Sequence, residues 1–224
     1  RKPEIAEDGV KQAGLEDKPA KEWSEEDLLS LSRVLRKESK PIIIAANKCD
    51  HKTAPDNIKK LHERFPEYSI IPCSAEGELA LKEAAKNDLI DYVPGDNEFS
   101  ITETGKEKMN EKQQQALEFL KTSLLETYKT GTGVQHVLDE VVFTTLKRKA
   151  IHPGGASKLE DQDGNVLPDC FLMEEKATAL DFAYRLHSDF GKNFVKAIDV
   201  RTKRPVGKDH VLKHLDIVEI MSSK

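Results

Sequence analysis

The chain has 224 residues, 38% of them hydrophobic and 33% charged, with 35 basic against 40 acidic side chains. This composition is that of a globular protein with one or two buried cores, and the formal net charge of -5 argues against nucleic-acid binding through overall charge. No apolar run reaches the length of a membrane span, and the first residues lack the apolar segment of a signal peptide. We therefore expect a cytoplasmic protein without a membrane partner.

The N-terminal third predicts a loop followed by an α/β arrangement. Residues 1–21 mix charged residues with Gly and Pro and predict a loop or partly ordered segment. A helix should begin after Ser24, where the sequence Ser-Glu-Glu-Asp fits a capping box. Residues 42–46 predict a strand buried on both faces, and residues 68–73 predict a second strand. The helical pattern at residues 55–65 between them indicates a right-handed parallel crossover.

The rest of the chain predicts more helices and then a region of short strands. Two apolar stripes at helical spacing are expected to be core: Leu117, Leu120, Leu124 and Tyr128, and then Val134, Val137 or Leu138, Val141 and Leu146. After residue 150 the pattern changes to short strands around one helix, with Asp163-Gly164-Asn165 as a hairpin turn. We place a domain boundary there, giving domains 1–150 and 151–224.

The strongest chemical signal is Asn47-Lys48-Cys49-Asp50, directly after the first predicted strand. Ligands bind at the carboxyl ends of parallel strands. The next strand ends in Cys73-Ser74-Ala75-Glu76, and the two segments together resemble the fourth and fifth signatures of the GTPases, NKxD and SA followed by a variable residue. We refer to them as the NKCD and SAE motifs.

These residue types suit the recognition of guanine. The base presents two adjacent donors, the ring N1–H and the 2-amino group, and the carboxylate of Asp50 can accept both. Asn47 can bond the acceptor edge of the base and hold neighbouring loops, while Lys48 can lay its methylene stem over the ring. The backbone N–H of Ala75 can meet the 6-oxo group, and Ser74 would shape that turn. The alternative interpretation is an ordinary strand-to-helix turn with Ser74 as a helix N-cap.

The phosphate-binding half of such a site is missing from the sequence. No Gly-Lys pair belongs to a Gly-x4-Gly-Lys-Ser/Thr loop. The sequence Asp161-Gln162-Asp163-Gly164 spells the DxxG of a GTPase metal loop, but it lies in the predicted hairpin turn and is interpreted as coincidental. We expect the phosphate loop and the Mg²⁺ ligands upstream of residue 1, so this chain alone should bind GTP weakly and should not hydrolyse it.

A family resemblance covers most of the chain. The segments KPIIIAANKCDHKTAPDNIKKL, IPCSAEGELALKEA and DYVPGD, and the run from Asn165 to Ile220, resemble the YchF-type branch of the Obg-family P-loop GTPases. The last run is similar to a TGS domain. The fold implied is α/β: part of a P-loop-type parallel sheet domain with extra helices, followed by a small β-grasp domain of the α+β class.

The resemblance also implies a function. It implies a GTP-binding protein linked to translation or ribosomes, with Mg²⁺ as a further cofactor. Many YchF-type proteins carry a Glu-ending base motif and prefer ATP, whereas Asp50 keeps the guanine form, so GTP is expected and an ATP-preferring ATPase is the alternative. Asn47, Lys48, Asp50, Ser74, Ala75 and Glu76 are the expected nucleotide-binding residues. No catalytic residue is assigned.

The TGS-like region offers an RNA-binding candidate in Arg201, Lys203 and Arg204, which should occupy an exposed hairpin loop within reach of phosphates. A solvated hairpin without a partner is the alternative. His187 is interpreted as structural, and the spacing of His210 and His214 predicts no metal site on a strand. His214-Leu215 stands where the family usually has Asp-Gly before the final strand.

Two classes of function follow from these observations. The first is a GTPase in which residues 47–50 and 74–76 select the base. The second is an adaptor module in which the TGS-like domain recruits structured RNA or the ribosome without hydrolysis. Both can coexist in one protein.

Overall fold

The computed structural model describes residues 2–155, 157–160 and 163–223. The chain divides into two compact units, Arg1–Asp139 and Glu140–Lys224. The predicted domain boundary near residue 150 stays a prediction, because compactness alone does not show which part folds independently. Among the described residues, no helix is long and apolar enough to cross a bilayer.

The first unit combines helices with two short sheets. Its helices are α1 (Lys2–Gln12), α2 (Glu25–Ser39), α3 (Ala54–Arg64), α4 (Ala75–Lys86), α5 (Glu103–Lys108), α6 (Glu111–Leu120) and α7 (Val134–Asp139). A 3₁₀ turn spans Ala20–Glu22, and a π-helical turn, Lys121–Leu125, continues α6. Its strands are β1 (Ile43–Ala46), β2 (Ser69–Pro72), β3 (Ile90–Asp91) and β4 (Ser100–Ile101).

The strands β1 and β2 pair in parallel, as predicted, with Ala46 opposite Pro72. The expectation that residues 42–46 are buried on both faces is wrong. Ile42 is 45% exposed and Ala45 is also exposed. Among the described residues, β1 also has β2 as its single strand neighbour, so its other edge is unpaired. At the carboxyl ends, Asn47 and Lys48 after β1 are exposed, whereas Cys73 and Ser74 after β2 are buried.

The prediction of a loop over residues 1–21 is also wrong, because helix α1 occupies residues 2–12. Gly9 lies in the contact between α1 and α2: a Cβ at this position would lie 2.5 Å from a methyl carbon of Leu35, which would have to shift. The composition of residues 1–21 did not indicate this helix, because α1 is stabilised by packing against α2 rather than by the helix propensity of its own residues. The predicted capping box at Ser24 and Asp27 is present at the start of α2.

The core of the first unit lies around α4 and α6. Leu81, Leu117, Leu120 and Leu124 are buried in one cluster, and Tyr128 packs against it. The first predicted apolar stripe is therefore confirmed as core. The second is not, because Leu138 and Leu146 are each about half exposed.

The second unit is a five-stranded mixed sheet with two short helices. A π-helical turn, Glu140–Thr145, precedes it. Its strands, in the order β6-β5-β9-β7-β8 across the sheet, are β5 (Arg148–Pro153), β6 (Phe171–Glu174), β7 (Phe194–Asp199), β8 (Arg204–Val206) and β9 (Ile217–Ser222). Its helices are α8 (Ala179–Leu186) and α9 (Ser188–Lys192). The parallel pair β5–β9 lies between antiparallel neighbours.

Helix α8 supplies the centre of this second core. Phe182 on α8 is fully buried and meets Phe171 edge to face at 5.9 Å. The predicted capping box at Thr178 and Asp181 starts the helix. The predicted fold class, a parallel α/β element followed by a small β-grasp domain, is confirmed.

The predicted hairpin turn at Asp163-Gly164-Asn165 lies between Glu160 and Val166, which form a short antiparallel bridge. Gly164 has a φ of +84°, a left-handed conformation typical of such turns. Asp161 and Gln162, the first half of the coincidental DxxG sequence, lie outside the described residues.

Candidate functional site

The parallel pairing of β1 and β2 brings the NKCD and SAE motifs together at one sheet edge. The Cys49 N–H donates to the Cys73 carbonyl at 3.1 Å, and the Cys73 N–H donates to the Ala46 carbonyl at 3.0 Å. The ladder thus continues past the ends of the strands. As a result, residues far apart in sequence lie side by side.

Asn47 connects the two motifs directly. Its side-chain Oδ1 accepts the N–H of Lys48 at 2.8 Å and the N–H of Ala75 at 3.0 Å. This supports the expectation that Asn47 holds neighbouring loops. It also changes the expectation for Ala75, because the N–H that was expected to meet a base is already used by Asn47.

Lys48 and Asp50 occupy a tight turn closed by the His51 N–H, which donates to the Lys48 carbonyl at 3.1 Å. Lys48 is exposed and has a φ of +65°, the left-handed region that is strained for a residue with a side chain. The Asp50 carboxylate is half-buried and has no recorded hydrogen bond or ion pair within the described residues. It is therefore available as an acceptor.

Cys49, between them, points into the core. Burial, with Cys73 and Asp50 adding to it, raises the pKa of Cys49 to about 12. The thiol is therefore neutral and acts as a packing group. Tyr128 closes the turn from behind, donating its hydroxyl to the Cys49 carbonyl at 3.2 Å.

Ser74 and Glu76 begin helix α4. The Ser74 Oγ accepts the Gly77 N–H at 3.1 Å, which makes Ser74 the N-cap of α4. Ser74 is almost completely buried, so its role in this structure is to shape the turn. Glu76 is exposed in the first helical turn, where its charge suits the helix dipole.

A buried polar network supports the SAE turn, and sequence analysis missed it. The Glu78 carboxylate accepts the Thr132 hydroxyl at 2.6 Å and the Tyr92 hydroxyl at 2.8 Å. Thr132 is 1% exposed, and its carbonyl accepts the Ser74 N–H at 2.8 Å. Burial and the bond to Glu78 raise the pKa of Tyr92 to about 12. These four residues form what we call the Glu78 network.

The loop that carries Thr132 lies tightly against β2. Gly133 has a φ of +77°, and a Cβ there would lie 2.0 Å from the Pro72 carbonyl oxygen. Only glycine fits this approach. The Thr-Gly-Thr-Gly sequence at 130–133 was the one available signal for this loop, because no apolar period marks it.

A cleft of about 270 Å³ lies beside the NKCD motif. Asn47, Lys48 and residues of helix α3, among them Asn57 and Ile58, line it. Asp50 and Ala75 do not. The cleft therefore extends from one side of the motif only.

In the second unit, Arg201 and Lys203 lie in the exposed turn between β7 and β8, and Arg204, also exposed, begins β8. The Arg201 guanidinium donates to the Leu215 carbonyl at 3.0 Å. Asp199 lies at the base of the turn; burial alone would raise its pKa, but hydrogen bonds from Thr202 and Arg201 outweigh burial and lower it. The hairpin thus carries a carboxylate beside its cations, and Arg201 is already bonded.

Two histidines of this unit, His187 and His214, make structural contacts. His187 accepts the Asp189 N–H on Nδ1 at 3.2 Å and caps α9, while His214 accepts the Ala150 N–H on Nδ1 at 3.1 Å. No group of three or more metal-ligating side chains occurs in the part of the chain that the structure describes. Leu215, where a glycine was expected from the resemblance, has a φ of +65°.

Comparison with known families agrees with this arrangement. Residues 45–154 match the model of the Obg-like GTPase YGR210-like, G4 motif-containing domain, and residues 162–222 match that of the TGS domain. A GTP-binding protein of Methanocaldococcus jannaschii is 44% identical over 222 residues, which are 98% of this chain and 55% of the relative.

A solved structure also resembles this chain. The crystal structure of a GTP-binding protein from Pyrococcus horikoshii OT3 is 38% identical and superposes with a TM-score of 0.64, covering 98% of this chain and 56% of that one. The chain thus spans little more than half the length of the relatives that it matches. The predicted resemblance to Obg-family GTPases with a TGS domain is confirmed: residues 45–154 belong to the YGR210-like, G4 motif-containing domain of Obg-like GTPases, and residues 162–222 are a TGS domain.

Proposed function

We propose that the first unit is the base-reading part of a GTP-binding protein, and that the NKCD and SAE motifs select guanine. One observation carries this proposal: the Asn47 Oδ1 accepts N–H groups from both motifs, so that two segments 28 positions apart form one surface. The names of the two archaeal relatives, both GTP-binding proteins, agree with it.

Asp50 is the residue that would distinguish guanine. Its carboxylate is half-buried, which strengthens hydrogen bonds to it, and it has no recorded partner among the described residues. Guanine offers the N1–H and the 2-amino group side by side, and one carboxylate can accept both. Adenine offers no such pair, so an ATP-preferring protein is the less favoured alternative.

The remaining motif residues would position the base. Lys48 lies exposed at the turn, and its methylene stem can cover the ring. The Ala75 N–H can reach the 6-oxo group when it exchanges its bond to Asn47 for one to the base. Ser74 and Glu76 act on the turn and on the dipole of α4. Neither motif offers a ligand set for the phosphates or for Mg²⁺, so the proposal assigns both motifs to the base alone.

Nucleotide titrations of the full-length protein test the role of Asp50. Asp50→Asn should weaken GTP binding roughly 10- to 100-fold, the effect of losing hydrogen bonds to a charged group, and should improve binding of xanthosine triphosphate. Xanthine carries an acceptor where guanine has the 2-amino group, and Asn supplies a donor. Asp56→Asn, an exposed carboxylate on α3, is the matched control. Unchanged GTP affinity in Asp50→Asn would show that another group reads the base.

The 224-residue chain itself gives a second test. Most of the affinity for a triphosphate comes from a phosphate loop, and this sequence contains no Gly-x4-Gly-Lys-Ser/Thr. We expect weak GTP binding in calorimetry and no measurable phosphate release. Tight binding or turnover would reveal a phosphate site elsewhere in these residues.

We also propose that the TGS domain binds structured RNA or the ribosome, and that Lys203 and Arg204 on the β7–β8 hairpin contribute to this contact together with Arg201. The exposure of all three side chains supports this role. The cytoplasm, where nucleotides and ribosomes both occur, is the location that fits the two proposals.

Replacing Arg201, Lys203 and Arg204 together with Ala should reduce co-sedimentation with ribosomes and flatten the dependence of binding on salt, because fewer counterions are released. Lys192→Ala with Lys196→Ala, two exposed cations elsewhere in the same unit, is the control. An unchanged salt slope in the triple variant would remove the hairpin from the contact.

A further inference from the structure

A second cationic feature of the TGS-containing unit lies apart from the hairpin. A cleft of about 740 Å³ opens between the end of the Glu140–Thr145 turn, the start of β5 and the segment before β9. Four of its lining residues are cationic and one is acidic: Lys147, Arg148, Lys149, Lys213 and Glu175. We call it the basic cleft. Its volume is in the range of small-ligand sites.

The cations of the basic cleft differ in how they are held. The Lys149 ammonium donates to the Leu212 carbonyl, which fixes one positive charge at the cleft wall. Arg148 pairs with Glu174 at 3.4 Å. Lys147 and Lys213 are exposed, and their ammonium groups have no recorded partner within the described ranges. Two cations are therefore free to meet an anion beside a third that is preorganised.

An aromatic pair lies next to these cations. The Phe143 ring is 4.7 Å from the His214 ring at an interplanar angle of 60°, and Phe143 is 37% exposed. Because His214 accepts the Ala150 N–H on Nδ1, the neutral ring carries its proton on Nε2, which can donate to a ligand. Phosphate-binding cations beside an exposed aromatic face are the combination that binds a nucleotide, through its phosphate and its base.

We propose that the basic cleft binds a nucleotide unit, with the base against Phe143 and the phosphate at Lys147 and Lys213. The unit can belong to single-stranded RNA or can be a free nucleotide, since both present the same base and phosphate. The RNA form rests on the RNA-binding function proposed for this unit. The hairpin differs chemically: none of the residues 200–204 is aromatic, and Asp199 offsets part of its charge.

Binding of a fluorescent ten-nucleotide single-stranded adenosine RNA to the 224-residue chain tests the proposal. Lys147→Gln with Lys213→Gln should lower the affinity roughly 10-fold or more and should reduce the slope of log affinity against log salt by about 1.4, since each lost phosphate contact removes about 0.7. Phe143→Leu should lower the affinity roughly 5- to 10-fold with an unchanged salt slope, because stacking is lost but charge is not.

The hairpin provides a charge-matched comparison at the other RNA contact proposed for this unit. Lys203→Gln with Arg204→Gln removes the same charge, and Lys203, like Lys147, has a positive φ (57° and 47°). Circular dichroism melts check that every variant folds. If the hairpin variant loses RNA binding and the two cleft variants do not, RNA binding by this unit stands and the basic cleft is not its site.

Titration with adenosine monophosphate separates the two sources of the nucleotide. Binding of the monophosphate without binding of the RNA, lost in the Lys147 and Lys213 double variant, would support the cleft and overturn the RNA function. Binding of neither ligand would overturn both. An undiminished affinity in Phe143→Leu would overturn the assignment of the base.

Discussion

Polar contacts between loops hold the NKCD and SAE motifs in the first unit, whereas an apolar core holds the second unit together. In the first, Asn47 and Thr132 connect segments at the open edge of a two-stranded sheet. In the second, five strands pack on α8, and Phe182 is fully buried. The comparison teaches that the proposed nucleotide site depends on a few hydrogen bonds, while the TGS domain depends on burial. The surface residues of the TGS domain can therefore vary without loss of its fold.

Removing Phe182 from the centre of the second core should have the largest effect on stability. Phe182→Ala should destabilise the second unit by about 3–5 kcal/mol, because a large buried ring is replaced by a cavity. Urea unfolding followed by circular dichroism measures the loss. Trp23, the single tryptophan of the chain, lies in the first unit and reports on that unit alone. An equal shift in its fluorescence transition would break the comparison, since the units would then unfold together.

Removing the carboxylate of the Glu78 network should have a smaller but more local effect. Glu78→Ala leaves the buried Thr132 hydroxyl without its acceptor, at a cost of about 1–3 kcal/mol. The amide of Ser74, which donates to Thr132, should then exchange its hydrogen on the order of 10- to 100-fold faster. Glu83→Ala, an exposed carboxylate on the same helix, is the control and should leave the exchange unchanged.

Alkaline pH should weaken the first unit through Tyr92. Its pKa of about 12 in the folded chain, raised first by burial and then by Glu78, exceeds the ordinary value of about 10 for tyrosine. A raised pKa means that the folded state favours the protonated tyrosine. The ionisation of Tyr92 therefore leaves the free energy of unfolding unchanged below about pH 10 and lowers it as the pH rises toward about 12. Urea unfolding between about pH 9 and 11 should show a steeper decline in wild type than in Tyr92→Phe. Parallel declines would remove Tyr92 as a contributor.

The smallest expected effect is a gain in the stability of the second unit. Leu215 has a φ of +65°, which costs a side-chain-bearing residue about 1–2 kcal/mol. Leu215→Gly relieves that strain but gives the unfolded chain more freedom, so the net stabilisation should be about 1 kcal/mol or less. Leu215→Ala keeps the strained backbone and should give no gain. Thermal denaturation of the three proteins distinguishes these outcomes.

The sequence predicted those structural features that depend on residues close together in the chain. The capping boxes at Ser24 and Thr178 and the parallel pair β1–β2 depend on residues close in sequence or on strongly apolar runs, and all three are present. The proximity of the two motifs followed from the parallel crossover.

Contacts between distant residues escaped prediction for a physical reason. Glu78 and Thr132 are ordinary residues in sequence, and only the closed fold makes them partners. Helix α1 likewise packs against α2, with Gly9 next to Leu35, a contact between residues far apart in sequence. Leu215 adopts a left-handed conformation that its own residue type opposes, and its N–H donates to the Ala150 carbonyl at 2.7 Å, a contact between distant residues.

The bond between Thr132 and Glu78 also bears on how the protein is made. The two residues are 54 positions apart, and closing a flexible loop of that length costs about 3–4 kcal/mol of chain entropy before the bond can form. Helix α4 and its cap can form as soon as their own residues are available, but the support of the SAE turn cannot. During synthesis, the proposed guanine-reading edge therefore stays incomplete until residue 132 has left the ribosomal exit tunnel, long after the NKCD motif has emerged.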